Sequence, residues 1–411
     1  MLVGIVAGLL ASAFRLALVQ VEHLRVRFLE STPGFAGAAF SIALAVLGGG
    51  LGVWVVKRFS PAAAGSGIPH LKAVVLGRST LDWRTLIPIK FLAGVVGIGG
   101  GLALGREGPT IQMGGATGLV VSDLLRIKPG EGERKALISA GAGAGLAAAF
   151  NAPLSGMIFV LEELHGAFTP IVFIAAFLAS IVADVIARVL TGELPVFSIH
   201  ISGQPGLATL PLAALLGAIL GLMGVVFNRS LLAALDVAEK LRRVPPFAIG
   251  ALAGLIVGTI GAFAPRIVGT GGLITDQALA GDLALRWLPL LLIARFALTL
   301  VSYGSGTAGG IFAPLLVLGA LAGLFVGGVG HLVFPQWFPD RQLFAVLGMG
   351  ALLAAVVRAP LTGIVLMIEL TGQYAIMLPL LTACLCAHSV AEALRDRPIY
   401  EALLDRSFSR R

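Results

Sequence analysis

Three short segments bounded by glycine and proline have the composition of helix starts. They read Gly-Ser-Gly-Ile-Pro over 65–69, Gly-Arg-Glu-Gly-Pro over 105–109 and Gly-Gly-Ile-Phe-Ala-Pro over 309–314. Because proline is favoured in the first turn of a helix, each segment predicts a helix N-terminus whose first N–H groups lack partners within the helix. Helix N-termini attract anions, so three of them brought together would form an anion-binding pocket made of partial charges. The alternative is three ordinary helix breaks.

Glu107 is the most informative single residue. It lies between Arg106 and Gly108, in a region that is otherwise apolar from Phe91 onward. A carboxylate inside a membrane is costly, and such residues usually mark ion or proton pathways. The sequence therefore favours a protonatable gate at Glu107. The alternative is a structural ion pair with Arg106.

Two further carboxylates, Glu162 and Glu163, end an apolar run. The segment 141–163 matches 348–370 at 11 of 23 positions, at a constant offset of 207. In this alignment Glu162 has an acidic counterpart, whereas the counterpart of Glu163 is Leu370. We therefore interpret Glu162 as structural and Glu163 as the candidate for a function that the second copy lacks.

The same alignment indicates two related halves, 1–195 and 206–404, within one membrane domain, 1–411. Each half carries a Gly/Pro-marked break that leads into an apolar helix. Repeats of this kind build transport sites near the middle of the bilayer. The alignment alone does not distinguish parallel from inverted halves.

The composition identifies the elements that must position these residues as membrane helices. Hydrophobic residues make up 57% of the 411 residues and charged residues 12%. A soluble domain carries about 25% charged residues, so this chain cannot cover a water-facing surface. We expect an all-α polytopic membrane protein. Glycines at helical spacing, at 97/101/105, 114/118 and 141/145, predict closely packed helices.

The net charge of +8 is explained by basic loops that face the cytoplasm rather than by nucleic acid. The basic C-terminal segment predicts a cytoplasmic C-terminus of a protein in the cell (inner) membrane. Its arginines are Arg395, Arg397, Arg406, Arg410 and Arg411.

Several other kinds of site are disfavoured. The pair Cys384 and Cys386 lies in an apolar run and suggests buried small side chains rather than a metal site, and the histidines show no metal spacing. We expect no metal and no cofactor. An intramembrane protease is the enzyme alternative, but no serine lies in the expected Gly-x-Ser-Gly turn. We expect no enzymatic activity.

The three glycine-proline segments, together with Tyr400 in the sequence Arg-Pro-Ile-Tyr-Glu-Ala-Leu, resemble the signature segments of the CLC family of chloride channels and proton-coupled chloride transporters. Their order matches too, over nearly the whole chain. The resemblance implies inverted halves with many tilted and broken helices. It also implies a homodimer with one independent pore in each subunit.

The resemblance implies a set of anion ligands. Ser66 and Tyr400 would offer hydroxyl groups to a central chloride, and the backbone N–H groups of Ile311 and Phe312 would complete its shell. A serine at position 66 resembles family members selective for chloride over nitrate.

The resemblance also implies two proton-carrying residues. Glu107 looks like the external gating glutamate, which competes with the anion and leaves when it is protonated. Glu163 looks like the internal proton-transfer glutamate of the exchangers. We therefore expect a secondary active transporter that exchanges chloride for protons, and the alternative is a passive voltage- or pH-gated chloride channel of the same fold.

Three departures from the family pattern accompany this expectation. The family usually has an extra helix before the segment that starts here, so the N-terminus is expected to be truncated or naturally short. His70 and Lys72 stand where well-known bacterial exchangers carry acidic residues, and a cation there could alter the inner proton route. The chain ends soon after Tyr400, which predicts a prokaryotic type without regulatory cytoplasmic domains.

Overall fold

The structure is a computed structural model of the 411-residue chain. It describes residues 1–32, 34–128, 132–192, 197, 199, 205–241, 243–337 and 340–408. Arg410 and Arg411, which belong to the predicted basic C-terminal segment, lie outside the described residues, as does residue 195, the predicted end of the first half.

Within the described residues the fold is helical and contains no β-strand, which confirms the predicted all-α class. Short 3-10 turns and one π-helical turn, Val160–His165, supplement the α-helices. The α-helices are α1 (Leu2–Ser31), α2 (Phe35–Phe59), α3 (Ile68–Val75), α4 (Trp83–Gly99), α5 (Glu107–Leu124), α6 (Gly132–Phe150), α7 (Pro153–Phe159), α8 (Pro170–Thr191), α9 (Leu210–Lys240), α10 (Pro246–Phe263), α11 (Gly272–Ala280), α12 (Leu288–Gly304), α13 (Phe312–Val333), α14 (Arg341–Val357), α15 (Pro360–Thr371), α16 (Met377–Ala393) and α17 (Ile399–Phe408).

Eight helical segments in the described part of the chain are long and apolar enough to cross a bilayer, which needs about 20 apolar residues. The shorter helices, such as α3 and α7, come from the Gly/Pro-interrupted parts of the sequence. Broken helices at membrane depth are tolerated where the protein covers the freed backbone or where that backbone lines a cavity. The segments that can span the bilayer are Leu2–Ser31, Phe35–Phe59, Pro170–Thr191, Leu207–Lys240, Pro246–Phe263, Leu285–Gly304, Phe312–Val333 and Tyr374–Ala393.

The chain divides into two compact units. The first comprises Met1–Glu193, Leu231–Gly271 and Ala297–Pro314, and the second comprises the remaining segments Leu194–Ser230, Gly272–Phe296 and Leu315–Arg411. The predicted halves 1–195 and 206–404 describe a relation between sequences, and they stay a prediction.

Glycine packing in the first unit agrees with part of the predicted pattern. In α5, Gly114 faces the backbone of Gly141 in α6 so closely that a Cβ atom on either residue would overlap the other helix. Gly118 meets α6 in the same way at Leu137. Only residues without side chains allow helix backbones to approach this far.

The second unit contains the same packing at the positions that the repeat relates to these. Gly319 of α13 meets Gly348 of α14, and Gly323 meets Phe344, again with no room for a Cβ atom. The breaks between the paired helices also correspond, because Asn151 precedes Ala152-Pro153 with φ 53° and Arg358 precedes Ala359-Pro360 with φ 68°.

The predicted glycine series 97/101/105 is wrong as a helix face. Helix α4 ends at Gly99, and Gly101 adopts a φ of 116°, which is accessible mainly to glycine and incompatible with a continuing helix. Gly101 and Gly105 therefore shape the loop that leads to α5.

Candidate functional site

The three glycine-proline segments meet in the first unit through backbone hydrogen bonds. The Gly65 amide donates to Thr307 over 2.9 Å, and the Gly309 amide donates to Gly65 over 3.0 Å. Gly105 and Gly310 exchange two hydrogen bonds of 2.7 and 2.8 Å. Segments separated by up to about 240 residues are thus tied into one small loop cluster.

Each of these segments begins a helix, as the sequence predicts. Helices α3, α5 and α13 begin at Ile68, Glu107 and Phe312, and each has its proline at the second or third helical position. Proline suits the first turn because its missing N–H would have no intrahelical partner there. The ends of three helix dipoles therefore lie in one cluster, in the arrangement that attracts an anion.

Glu107 directs its carboxylate onto the start of another helix. Its Oε2 atom accepts a hydrogen bond of 3.3 Å from the backbone N–H of Ala313, the second residue of α13. Its Oε1 atom lies 3.9 Å from Nε of Arg106, and only 3% of the side chain is exposed. The Glu107 carboxylate thus binds a helix amide that would otherwise be available to an anion. The side chain of Arg106 lies beside this carboxylate.

Two glycines make room for this arrangement. A Cβ atom on Gly105 would overlap the Glu107 carboxylate, and one on Gly108 would lie 2.8 to 2.9 Å from backbone and Cβ atoms of Ser66. Real Cβ atoms do not approach other heavy atoms this closely. Glycine at 108 therefore lets the start of α5 lie directly against Ser66.

Ser66 is fully buried, immediately before α3. Its Oγ atom accepts a hydrogen bond of 3.4 Å from the Ile68 amide. The phenol oxygen of Tyr303 is within hydrogen-bonding reach of both the side chain and the backbone of Ser66. Our sequence reasoning missed Tyr303, although it is one of only three tyrosines in the chain and lies just before the 309–314 segment.

Ile311 and Phe312, the predicted amide donors, lie in the same loop cluster, and both are fully buried. The Phe312 ring packs against Phe150 and Phe159, with ring centroids 5.7 and 6.3 Å apart. These aromatic contacts hold the first turn of α13 in a water-poor environment.

Tyr400, the remaining predicted ligand, lies in the second unit. It is fully buried in the first turn of α17. The segment before α17 is held by Asp396, which accepts from Nδ2 of Asn228 over 2.7 Å and lies 3.8 Å from Nη2 of Arg358. The contact between Tyr400 and an anion stays a prediction.

Lys90 has a structural role within the first unit. A lysine that opens an apolar run ordinarily anchors a helix end at a membrane surface, but Lys90 does not lie at a helix end. Lys90 lies within α4 and is fully buried, and its Nζ atom donates to the carbonyl oxygens of Ala63 over 2.9 Å and of Gly65 over 2.7 Å. It thereby holds the loop that carries Ser66.

Glu163, the predicted internal proton residue, lies in the π-helical turn that follows α7. Its Oε1 atom is 2.9 Å from Nζ of Lys72 in α3, and 6% of its side chain is exposed. His70 approaches Nε2 of Gln112 over 3.2 Å, and that amide also donates to Ala62 over 2.9 Å. Lys72 is thus an ion-pair partner of Glu163. From the sequence alone, Lys72 is only a departure from the family pattern.

The chain matches a sequence family described as voltage gated chloride channel over residues 48–392. The protein named H(+)/Cl(-) exchange transporter ClcA of Vibrio parahaemolyticus is 39% identical over 417 residues, which cover 99% of this chain and 88% of that protein. Its namesake from Vibrio cholerae is 40% identical with the same coverage.

Solved structures agree with this relationship. The structure of a slow cyanobacterial Cl-/H+ antiporter superposes with a TM-score of 0.94 at 36% identity, over 99% of this chain and 96% of that one. A eukaryotic CLC transporter superposes with a TM-score of 0.83 at 26% identity, over 98% of this chain and 72% of that one. The predicted CLC-type fold is therefore confirmed. This chain belongs to the voltage-gated chloride channel family, the CLC family that its glycine-proline segments resemble.

Proposed function

We propose that this protein is a secondary active transporter that exchanges chloride for protons across the membrane. The observation that carries the proposal is the hydrogen bond between the Glu107 carboxylate and the Ala313 amide. A carboxylate bound at a helix N-terminus takes the place that a free anion could occupy. A chloride and the charged form of Glu107 would therefore compete for the same partial positive charge.

This competition links the two transported ions. When Glu107 binds a proton it loses its charge and with it most of its attraction for the amide, so chloride can take its place. When chloride leaves, the ionised carboxylate can return. The Ser66 hydroxyl and the amides of Ile311 and Phe312 are proposed ligands of the chloride, and Tyr400 is proposed as a further ligand from the family resemblance.

Glu163 is proposed to pass protons between Glu107 and the inner solution. Its support is its burial in a turn that follows an apolar helix, together with its absence from the corresponding position of the second repeat. A buried ionisable group within a membrane protein usually serves an ion or proton path. We propose no resident metal or cofactor.

The relatives favour exchange over passive conduction. Those from Vibrio parahaemolyticus and Vibrio cholerae are named exchange transporters, and the cyanobacterial structure is titled an antiporter. A passive anion channel is the second candidate, since the family description itself names a channel.

Flux measurements on the purified protein in proteoliposomes test the proposal. With an outward chloride gradient and a clamped voltage, we expect protons to move against their own gradient, with chloride and proton fluxes recorded together. Chloride flux without any proton movement would identify a channel and overturn the exchanger proposal. Absence of both fluxes from folded protein would overturn both candidates.

We further propose a homodimer in the inner membrane with a cytoplasmic C-terminus. The support is the family membership and the excess of arginines near the C-terminus, of which Arg395, Arg397 and Arg406 are described. Light scattering in detergent tests the dimer. A protease site added after the last residue, probed in inside-out and right-side-out vesicles, tests the orientation.

A further inference from the structure

Glu163 is held by a positive charge that a neighbouring helix supplies. Lys72 places its Nζ atom 2.9 Å from Oε1 of Glu163, and the two side chains are only 14% and 6% exposed. Ion pairs at the protein surface contribute little because water screens them. This pair is largely shielded from water, so its charges interact more strongly.

Helix α3 connects this ion pair to the anion site. It begins at Ile68, two residues after Ser66, and it carries Lys72 in its second turn. At about 1.5 Å per residue, Lys72 lies within roughly 10 Å of Ser66 along the helix. One short helix therefore presents its N-terminus to the anion site and a cation to the proton site.

The other described elements that pack against the turn of Glu163 are α6, α7 and α8. Helix α7 has no charged residue, and on α8 Asp184 pairs with Arg188 over 2.8 Å. On α6 the charged groups lie near its start, where Arg134 pairs with Asp123 over 2.8 Å. Glu133 is exposed, and Lys135 acts electrostatically on His165. His165 itself contacts Ser139 over 2.7 Å. The remaining titratable groups are Glu162 and His70.

We propose that Lys72 is a positioning residue that sets the pH range in which Glu163 accepts protons. The proposal rests on the exchange function proposed above. A nearby cation favours the charged form of a carboxylate, so proton uptake must compete with the ion pair. A proton from the inner solution adds to a carboxylate oxygen of Glu163, the resulting acid is neutral, and Lys72 keeps its charge. No bond to Lys72 forms or breaks.

Replacement of Lys72 tests this proposal through a pH profile. Chloride-driven proton flux is measured in proteoliposomes over a series of symmetrical pH values. Lys72→Met keeps the apolar stem and removes the charge, so Glu163 should accept a proton at a lower proton concentration. We expect the pH of half-maximal proton flux to rise by about 1–3 units, the effect typical of one adjacent opposite charge.

Three matched variants separate charge from structure. Lys72→Arg retains the charge and should leave the midpoint near that of the wild type. Lys57→Met removes a positive charge from an exposed position on α2 and should also leave the midpoint unchanged. Glu163→Asp shortens the acidic side chain, weakens the pair from its other side, and should shift the midpoint in the same alkaline direction as Lys72→Met.

A double substitution shows whether the effect passes through Glu163. If it does, Lys72→Met should not alter the pH dependence of chloride flux further when Glu163→Gln is already present. Chloride flux in every variant reports that the protein is folded, and Glu163→Asp serves if Lys72→Met does not fold.

The failures of the two proposals are distinguishable. Wild-type protein that moves chloride without protons contradicts the exchange function itself. The positioning role of Lys72 is wrong, and the exchange function stands, if the wild type exchanges protons but the midpoint of proton flux is the same with and without the Lys72 charge. The same conclusion follows if Lys72→Met shifts the pH dependence of chloride flux equally with and without Glu163→Gln.

Discussion

The Nζ atom of Lys90 lies 2.7 Å from the carbonyl oxygen of Gly65, the residue that precedes Ser66. It also donates to Ala63 over 2.9 Å, and the side chain is fully buried. The loop that carries a proposed anion ligand is therefore held from behind by two hydrogen bonds from a buried amino group.

Substitution of Lys90 tests this arrangement. Lys90→Met removes the Nζ donor from the Ala63 carbonyl oxygen and leaves the Gly65 carbonyl oxygen with the Gly309 amide alone. An unsatisfied buried polar group costs about 1–3 kcal/mol. We expect the loop to loosen and chloride binding, measured by isothermal titration calorimetry, to weaken by at least about tenfold, which corresponds to about 1.4 kcal/mol.

Lys57→Met is the matched control because Lys57 is exposed near the end of α2. It should bind chloride like the wild type. Unaltered chloride affinity in folded Lys90→Met protein would show that the hydrogen bonds to Ala63 and Gly65 do not support the anion site.

Replacement of the Glu107 carboxylate tests the proposed gate. Glu107→Gln has nearly the same shape as the protonated acid but can neither release a proton nor carry a charge. We expect chloride-driven proton movement to fall to background while chloride flux persists, because no charged group returns to compete for the Ala313 amide. Simultaneous recording of both fluxes in proteoliposomes makes this comparison.

Glu162→Gln is the control for the loss of a carboxylate, since Glu162 has no assigned part in transport. It should keep proton coupling. Proton pumping that survives in Glu107→Gln would remove Glu107 from the coupling mechanism.

The features that the sequence predicts correctly depend on residues that are neighbours in the chain. Proline in the first turn marks the starts of α3, α5 and α13, and the apolar composition identifies a helical membrane protein. These features follow from backbone sterics and from burial in lipid, which need no knowledge of distant contacts.

Features that depend on tertiary contacts could not be read from the sequence. The sequence around Lys90 is typical of a helix-end anchor, because its contacts with the carbonyl oxygens of Ala63 and Gly65 exist only in the folded protein. The glycine spacing that includes Gly101 imitates a helix face, although a positive φ ends that helix. The roles of Ser66 and the other proposed ligands rest on family resemblance and stay predictions.

A methyl group at position 108 should disturb the proposed anion site. In Gly108→Ala the new Cβ atom would lie within 2.9 Å of the backbone and side chain of Ser66, so the start of α5 or the Ser66 loop must move. Displacement of a ligating group by even a fraction of an ångström weakens binding. We expect chloride affinity and chloride flux to fall by at least about tenfold, or about 1.4 kcal/mol in affinity.

Gly132→Ala is the matched control, since a Cβ atom at the start of α6 meets no atom within 4 Å. That variant should transport chloride at the wild-type rate. Normal chloride affinity in Gly108→Ala would indicate that the position of Ser66 is not critical for anion binding.

The phenol group of Tyr303 should influence chloride through Ser66. Its oxygen is within hydrogen-bonding reach of the Ser66 side chain and backbone, and the ring is buried. Tyr303→Phe removes the hydroxyl and keeps the ring, so packing is retained while the orientation of the Ser66 hydroxyl is less restricted. A typical net hydrogen bond is worth about 1 kcal/mol, and we therefore expect chloride affinity to fall about fivefold.

Tyr374→Phe, at a site that is 76% exposed, is the control for a tyrosine hydroxyl away from the loop cluster. Titration calorimetry compares the chloride affinities of the two variants. Equal affinities would mean that the Tyr303 hydroxyl does not orient Ser66 for chloride binding. Tighter binding in Tyr303→Phe would mean that the phenol competes with chloride for the Ser66 hydroxyl.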